Sequence, residues 1–311
     1  ISDNCSTDDS VEIVKKHISE EFSIEYQVNP TNIGFAGNLD KVGSMAKGDW
    51  MIMFSSDDLV NVNALNIYDS FIRTLNDTQD FAFCSVFEKV DSQGNFIDYI
   101  SPSNSRVWRN SDIDEVLTKK MGFNVYKVKA SDMLQRCIKL FINPFNFTST
   151  CYPRKIYDKV SGYGGSRLFN PDKWFHWKIM SEMEYVYYLD SPLFQYRWHQ
   201  NNQTNLQNRS GILKLWLDEY KNSFEFTEET LNKVNLTKND VEYIFCEYIN
   251  KATLRHIING ELKMAKRLRH FALSAYPEIE PKSKYYYAII LSIYTYPLSR
   301  IILSKYELFA K

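Results

Sequence analysis

The strongest constraint on this chain is a repeated exchange of helical for strand periodicity over roughly its first hundred residues. Val11, Val14 and Ile18 share one helical face, and "FSIEYQV" then alternates as a strand does. "GFAGNLDKVGSMAKG" returns to helical spacing through Leu39, Val42, Met45 and Ala46 and is stopped by Gly48. "DWMIMFSSDD" is a short apolar strand that ends abruptly in polar residues; a helix over 62–75 and the strand "FAFCSVF" follow. "EKVDSQGNFIDYI" has the form of a hairpin turning at 92–95. Alternation of this kind predicts an α/β domain with a mostly parallel sheet, whose ligands bind at the carboxyl ends of the strands. Two acidic clusters, Asp3 with Asp8 and Asp9, and Asp57 with Asp58, fall at such ends.

From about Gly211 the pattern becomes helical throughout, punctuated by Gly260 and Pro277. The expected division is an α/β domain over 1–205 and a helical region over 206–311. The basic and acidic residues number 37 and 38, a balance that gives no case for a nucleic-acid partner. Cys5, Cys84, Cys137, Cys151 and Cys246 are scattered without the paired spacing of a zinc site or disulfide framework, which fits a reducing cytosol. Asn-x-Ser/Thr triplets at Asn146, Asn202 and Asn235 carry no weight in so Asn-rich a chain. No apolar run reaches the roughly 18–20 residues of a membrane span. The nearest, "YYYAIILSIYTYPLS" between Lys284 and Arg300, suits lying on a membrane surface.

Adjacent carboxylates at a strand end, Asp57 and Asp58, suit Mg²⁺ or Mn²⁺, which take hard oxygen ligands and could in turn hold a diphosphate. The same residues also suit capping of a helix that starts near Asn61. Their setting extends the comparison. "NPTNIGFAGNLDKVGSMAKGDWMIMFSSDDL", with "ISDNCSTDDS" before it, resembles the nucleotide-sugar half of the inverting glycosyltransferases of family 2, which have the GT-A fold. The resemblance implies that Asp3 contacts the nucleotide base, that Asn32 and Gly34 belong to the donor loop, that Asp57 lies near the ribose and that Asp58 holds the metal. It also implies a first strand upstream of residue 1. Ser55 stands where the family usually has the leading Asp of its acidic motif.

A second stretch, "SGYGGSRLFNPDKWFHWKIMSEMEYVYYLDSPLFQYRWHQNNQT", is similar to the acceptor half of that family. The likeness implies a donor half over 1–100, an acceptor half over 101–205 and Asp172 as catalytic base. A sugar hydroxyl is a poor nucleophile at neutral pH, so a carboxylate within hydrogen-bond reach must take its proton. Asp172 also suits the first turn of a helix after Pro171. Arg197 is a candidate phosphate contact, and His199 a candidate metal ligand or a structural histidine. Trp174 and Trp177 fit either an acceptor platform or the core, while Arg106 and Trp108 have no assigned role.

In the C-terminal region, "KMAKRLRH" and "SRIILSKYELFAK" set basic residues beside apolar faces, as a bilayer-resting surface or an ordinary packed helix would. Together these features predict transfer of a sugar from a nucleotide sugar to a saccharide acceptor, lipid-linked at the membrane surface. The expected setting is the cytoplasmic face of a bacterial surface-polysaccharide pathway. A non-catalytic nucleotide-sugar binder and a nucleotidyltransferase are the alternatives.

Overall fold

The computed structural model describes residues 1–18, 24–75, 80–164, 171–199, 202 and 212–304. It divides into two compact units, one of Ile1–Cys137 with Ile142–Gln207 and one of Ile138–Phe141 with Asn208–Lys311.

The first unit is α/β. β1 (Ser2–Asp3) and β2 (Gln27–Val28) form a small parallel pair, with α1 (Ser10–His17) between them in sequence. α2 (Phe35–Met45) leads to β3 (Trp50–Ile52), β4 (Leu59–Val60) and α3 (Ala64–Thr74). β5 (Phe81–Val90) and β6 (Phe96–Ile100) make the hairpin, with Gly94 at φ 90° in its turn. Then come α4 (Glu115–Met121), β7 (Val125–Lys129), α5 (Ala130–Leu140, whose residues from Ile138 on belong to the second unit), β8 (Cys151–Pro153), α6 (Arg154–Lys159), α7 (Pro171–Met180) and β9 (Tyr185–Arg197).

The larger sheet is organised around β5 and β9, which run parallel along their whole common length. On the outer edge of β5, β8 pairs near its start and β6 near its end. On the outer edge of β9, β7 and then β4 pair in the same way, and β3 adds beyond β8. The α/β class expected from the sequence stands, but the sheet is mixed. Parallel pairing is confined to β1–β2 and β5–β9, and the other pairs described are antiparallel. Short strands that double back along a long one bury its edges without needing helical crossovers.

The continuous apolar run of β5 is buried on both faces, as a strand inside a covered sheet must be. Its rings pack edge-on with α3, Tyr68 on Phe83 at 4.6 Å and Phe71 on Phe83 at 5.0 Å between centroids. Trp174 and Trp177 belong to the core: both are buried, and the Trp177 indole donates to the Ile142 carbonyl at 3.2 Å. Trp108 is buried likewise, its indole donating to the Pro144 carbonyl at 2.9 Å.

The second unit contains α8 (Ile212–Ser223), α9 (Glu228–Lys233), α10 (Lys238–Ile258), α11 (Leu262–Ala275), α12 (Tyr286–Tyr294) and α13 (Leu298–Ser304). Thr237 and Asp240 open α10 with a reciprocal capping box, each side chain bonding the other's backbone N–H. Gly260 at φ 85° ends the α10–α11 turn, where Arg300 packs close and donates from Nε to the Ile258 carbonyl. Leu254, Ile257, Ala265 and Ile289 form a buried cluster of this unit. Among the described residues, no helix is long and apolar enough to cross a membrane.

Candidate active site

The loop that the resemblance assigns to the donor is held together by asparagines. Asp3 ends β1 and is buried, one carboxylate oxygen accepting the Ser6 N–H at 2.7 Å. Asn4 donates to Asn32 Oδ1 at 3.0 Å and to the Gly34 carbonyl at 3.3 Å, and accepts from the Ile33 N–H at 2.9 Å. Asn32 Oδ1 also accepts the Gly34 N–H at 2.9 Å. Asn38, early in α2, donates to the Ser2 carbonyl and accepts from Ser2 Oγ and from Asn29. These bonds rivet the ends of β1 and β2 to the start of α2. Gly34 itself is left-handed (φ 79°), and no atom lies within 4 Å of where its Cβ would be. The entry to α2 therefore faces open space, where helix N–H groups favour an anion.

The acid pair meets the "YRWH" stretch through sheet register. β4 follows the acids directly and pairs antiparallel with β9, Leu59 opposite Gln195 and Val60 opposite Phe194. Extending that ladder by two residues sets Asp57 and Asp58 beside Arg197. His199 Nε2 lies 3.1 Å from Asp57 Oδ2. Asn202 Nδ2 donates to the same oxygen at 3.2 Å and to the Arg197 carbonyl at 3.1 Å, and the Ser55 hydroxyl donates to the other oxygen of Asp57. Burial alone would raise the Asp57 carboxyl, but the bonds from Ser55 and His199 outweigh it and hold the group below the usual carboxylate range.

Asp58 has different surroundings. It is buried, accepting the Thr148 hydroxyl on Oδ2 and the Arg197 N–H on Oδ1 at 3.2 Å. Burial pushes it up to about 6, with the neighbouring Asp57 charge adding to the shift. The structure thus pairs His199 with Asp57, not with Asp58, to which the sequence reading gave the metal. Nor does either acid cap α3, whose N-cap is Asn63. Among the described residues no three His, Cys, Asp or Glu side chains gather as a full metal cage. Asp57 and His199 supply two converging donors, which suits a cation that completes its shell on phosphate oxygens and water. Arg197 Nε is buried and has no hydrogen-bond partner among the described residues, an opening that an anion would fill.

Asp172 stands in the first turn of α7, directly after Pro171. Burial pushes its carboxyl above the usual range, opposed by the Lys173 backbone N–H and ammonium and by the Asn143 amide, which donates to Oδ2 at 3.2 Å. The other end of the Asn143 amide, Oδ1, lies 2.9 Å from His176 Nδ1. One segment, 143–150, links the three clusters. Asn143 holds Asp172, the Phe147 ring lies 6.1 Å from Phe35 at the start of α2, and Thr148 holds Asp58.

Sequence reasoning reached Asp3, Asn32, Gly34, Asp57, Asp58, Asp172, Arg197 and His199. It does not single out Asn4, Asn38, Asn143 or Thr148; Asn202 falls in the Tyr-Arg-x-His-x-x-Asn-x-Thr segment of the resemblance but has no role assigned there. The signal for Asn202 was its place three residues after His199, which a turn back onto the acid pair requires.

Residues 1–128 match the sequence model of glycosyl transferase family 2. No curated protein matches the chain in sequence. Among solved structures, S. aureus TarS 1–349 in complex with UDP superposes with a TM-score of 0.60 at 17% identity, covering 98% of this chain and 81% of that one. TarS 1–349 in complex with UDP-GlcNAc gives 0.54 at 16% identity, covering 94% and 70%. Likeness at this level of identity shows a shared fold, the GT-A architecture, and residues 1–128 are the part of the chain that matches glycosyl transferase family 2.

Proposed function

We propose that this glycosyltransferase moves a sugar from a nucleoside-diphosphate sugar to a hydroxyl of a lipid-linked saccharide, with inversion, as in the building of a bacterial surface polysaccharide. The observation that carries the reading is the Asp57–His199–Asn202 cluster, brought beside Arg197 by the β4–β9 ladder. The asparagine-bound loop around Asp3, Asn32 and Gly34 would receive the nucleotide, and Arg197 would meet a phosphate. A divalent cation held by Asp57 and His199, Mn²⁺ being better suited than Mg²⁺ to an imidazole ligand, would supply positive charge to the departing diphosphate. Asp58, locked by Thr148 and Arg197, fixes the register of that site and is not proposed as a metal ligand. Asp172 takes the proton of the acceptor hydroxyl as its oxygen bonds to the anomeric carbon and the bond to the nucleoside diphosphate breaks. A raised pKa brings this base nearer to the operating pH.

Calorimetric titration of UDP, CDP, GDP and dTDP, with and without Mn²⁺, tests the donor site. One nucleotide should bind in a metal-dependent way, and Asp57→Ala and His199→Ala should remove the metal dependence. If no nucleotide binds to the folded protein, the donor site is refuted. Asp172→Asn should bind that nucleotide as wild type does while losing turnover by about 10²–10⁴-fold.

A further inference from the structure

The last two helices of the second unit are built with their apolar side outward. α12 buries Ile289 and Ser292 and turns Tyr287, Leu291 and Tyr294 to water, at 80%, 64% and 82% exposure. Their spacing of four and then three residues is one helical face. α13 continues the pattern, burying Ser299 and exposing Leu298, Ile301 and Ile302 at 60%, 58% and 49%. A helix packed as ordinary core would present the reverse, and a contiguous exposed apolar stripe marks a surface that something covers.

The charges around the stripe say what covers it. From 262 to 304 the chain has seven Lys or Arg and only two acids, Glu278 and Glu280, in a protein whose net charge is -1. Glu280 is fully buried, and from 281 to 304 there is no acid at all. Lys282 and Lys284 stand exposed just before α12, and Arg300 lies exposed within α13. Lys284 stands 3.7 Å from Glu247, but with no acid from 281 to 304 a second copy laid on this face by a two-fold axis would find no carboxylate on α12 or α13 to meet Lys282 and Arg300. A bilayer of anionic lipid would meet phosphate, and tyrosines prefer the depth at which headgroups give way to acyl chains.

We propose that α12 and α13 form a docking surface for an anionic lipid bilayer. Tyr287, Leu291, Tyr294, Leu298 and Ile301 enter the headgroup boundary, and Lys282 and Lys284 reach the lipid phosphates. The helices lie in the interface; neither is long enough to span it. The proposal deepens the reading of a lipid-linked acceptor and rests on it only for its purpose, because vesicle binding needs no donor, metal or acceptor.

The test is co-sedimentation of the full chain with vesicles of phosphatidylcholine alone and of phosphatidylcholine with an equal part of phosphatidylglycerol. Wild type should partition at least about tenfold more strongly to the anionic vesicles, as a few basic contacts imply. Leu291→Glu with Tyr294→Glu should lose binding to both, and Lys282→Glu with Lys284→Glu should lose the anionic preference. The milder Leu291→Ser guards against a folding defect, with circular dichroism and Tm unchanged. Equal binding of wild type and the Glu variants overturns the proposal. So does a wild type that ignores both vesicles, whether or not it forms a dimer that Leu291→Glu dissolves. Lost transfer with intact vesicle binding would count against the proposed reaction alone, and lost vesicle binding with intact transfer against the docking surface alone.

Discussion

At the scale of single residues, the site depends on side-chain amides placed between charged groups. Asn143 is the clearest case, since one end of its amide donates to Asp172 and the other faces His176. That donation steadies the ionised carboxylate, so removing it should raise the Asp172 pKa further. Asn143→Ala should therefore move the acid limb of kcat/KM to higher pH and lower kcat roughly tenfold, consistent with one lost bond to a charged group. A pH–rate profile checks it, and an unmoved limb would separate Asn143 from the base. The charged residues of the candidate site were legible in the sequence because Asp and His at strand ends carry an intrinsic chemical signal. The amides were not, because an Asn gains its meaning only from what the fold sets on either side of it.

At the scale of elements, the short strand β4 accomplishes more than its two residues suggest. Its antiparallel register with β9 is what sets the acid pair against Arg197 and His199, some 140 residues later in sequence. The alternation of helix and strand, the hairpin at 92–95 and the helix after Pro171 could be read from periodicity and turn residues. The mixed sheet could not, because strand direction is decided by pairings between distant segments, which local periodicity does not record. Helix contacts carry similar hidden constraints. Gly43 of α2 faces Tyr157 of α6 so closely that a Cβ there would lie 2.1 Å from the phenol oxygen. Gly43→Ala should cost about 1–3 kcal/mol by overpacking. It should also weaken nucleotide binding, since α2 carries the riveted loop proposed to receive the donor. Thermal unfolding and the nucleotide titration read the two effects, and a Tm equal to wild type would mean that the helices part freely.

At the scale of the whole molecule, buried titratable groups set how each unit answers to acid. Burial depresses the His176 imidazole to about 3 from its ordinary 6.5. The stability that a neutral His176 allows is therefore present above pH 6.5 and falls away as pH drops towards 3. The fall is at most about 1.4 kcal/mol for each pH unit. Asp172 and Glu280, raised by burial, act in the opposite sense, favouring the fold as pH falls through their folded values. His176→Phe should therefore flatten the loss of Tm between pH 6.5 and 4, and parallel curves for variant and wild type would show that the histidine is not held neutral. The helical texture and basic character of the second unit were plain in its sequence. Which face of α12 looks outward was not, because a helix this apolar satisfies the same pattern either way round. The strip from Asn143 to Thr148 has a kinetic meaning as well. It touches Asp172, the proposed base, at one end and Asp58 at the other, with Phe147 against Phe35 between them. Any free energy that one substrate gains by shifting this strip must reappear, equal in size, in the affinity of the other. Each substrate should therefore change the affinity of the other by one and the same factor, whichever binds first.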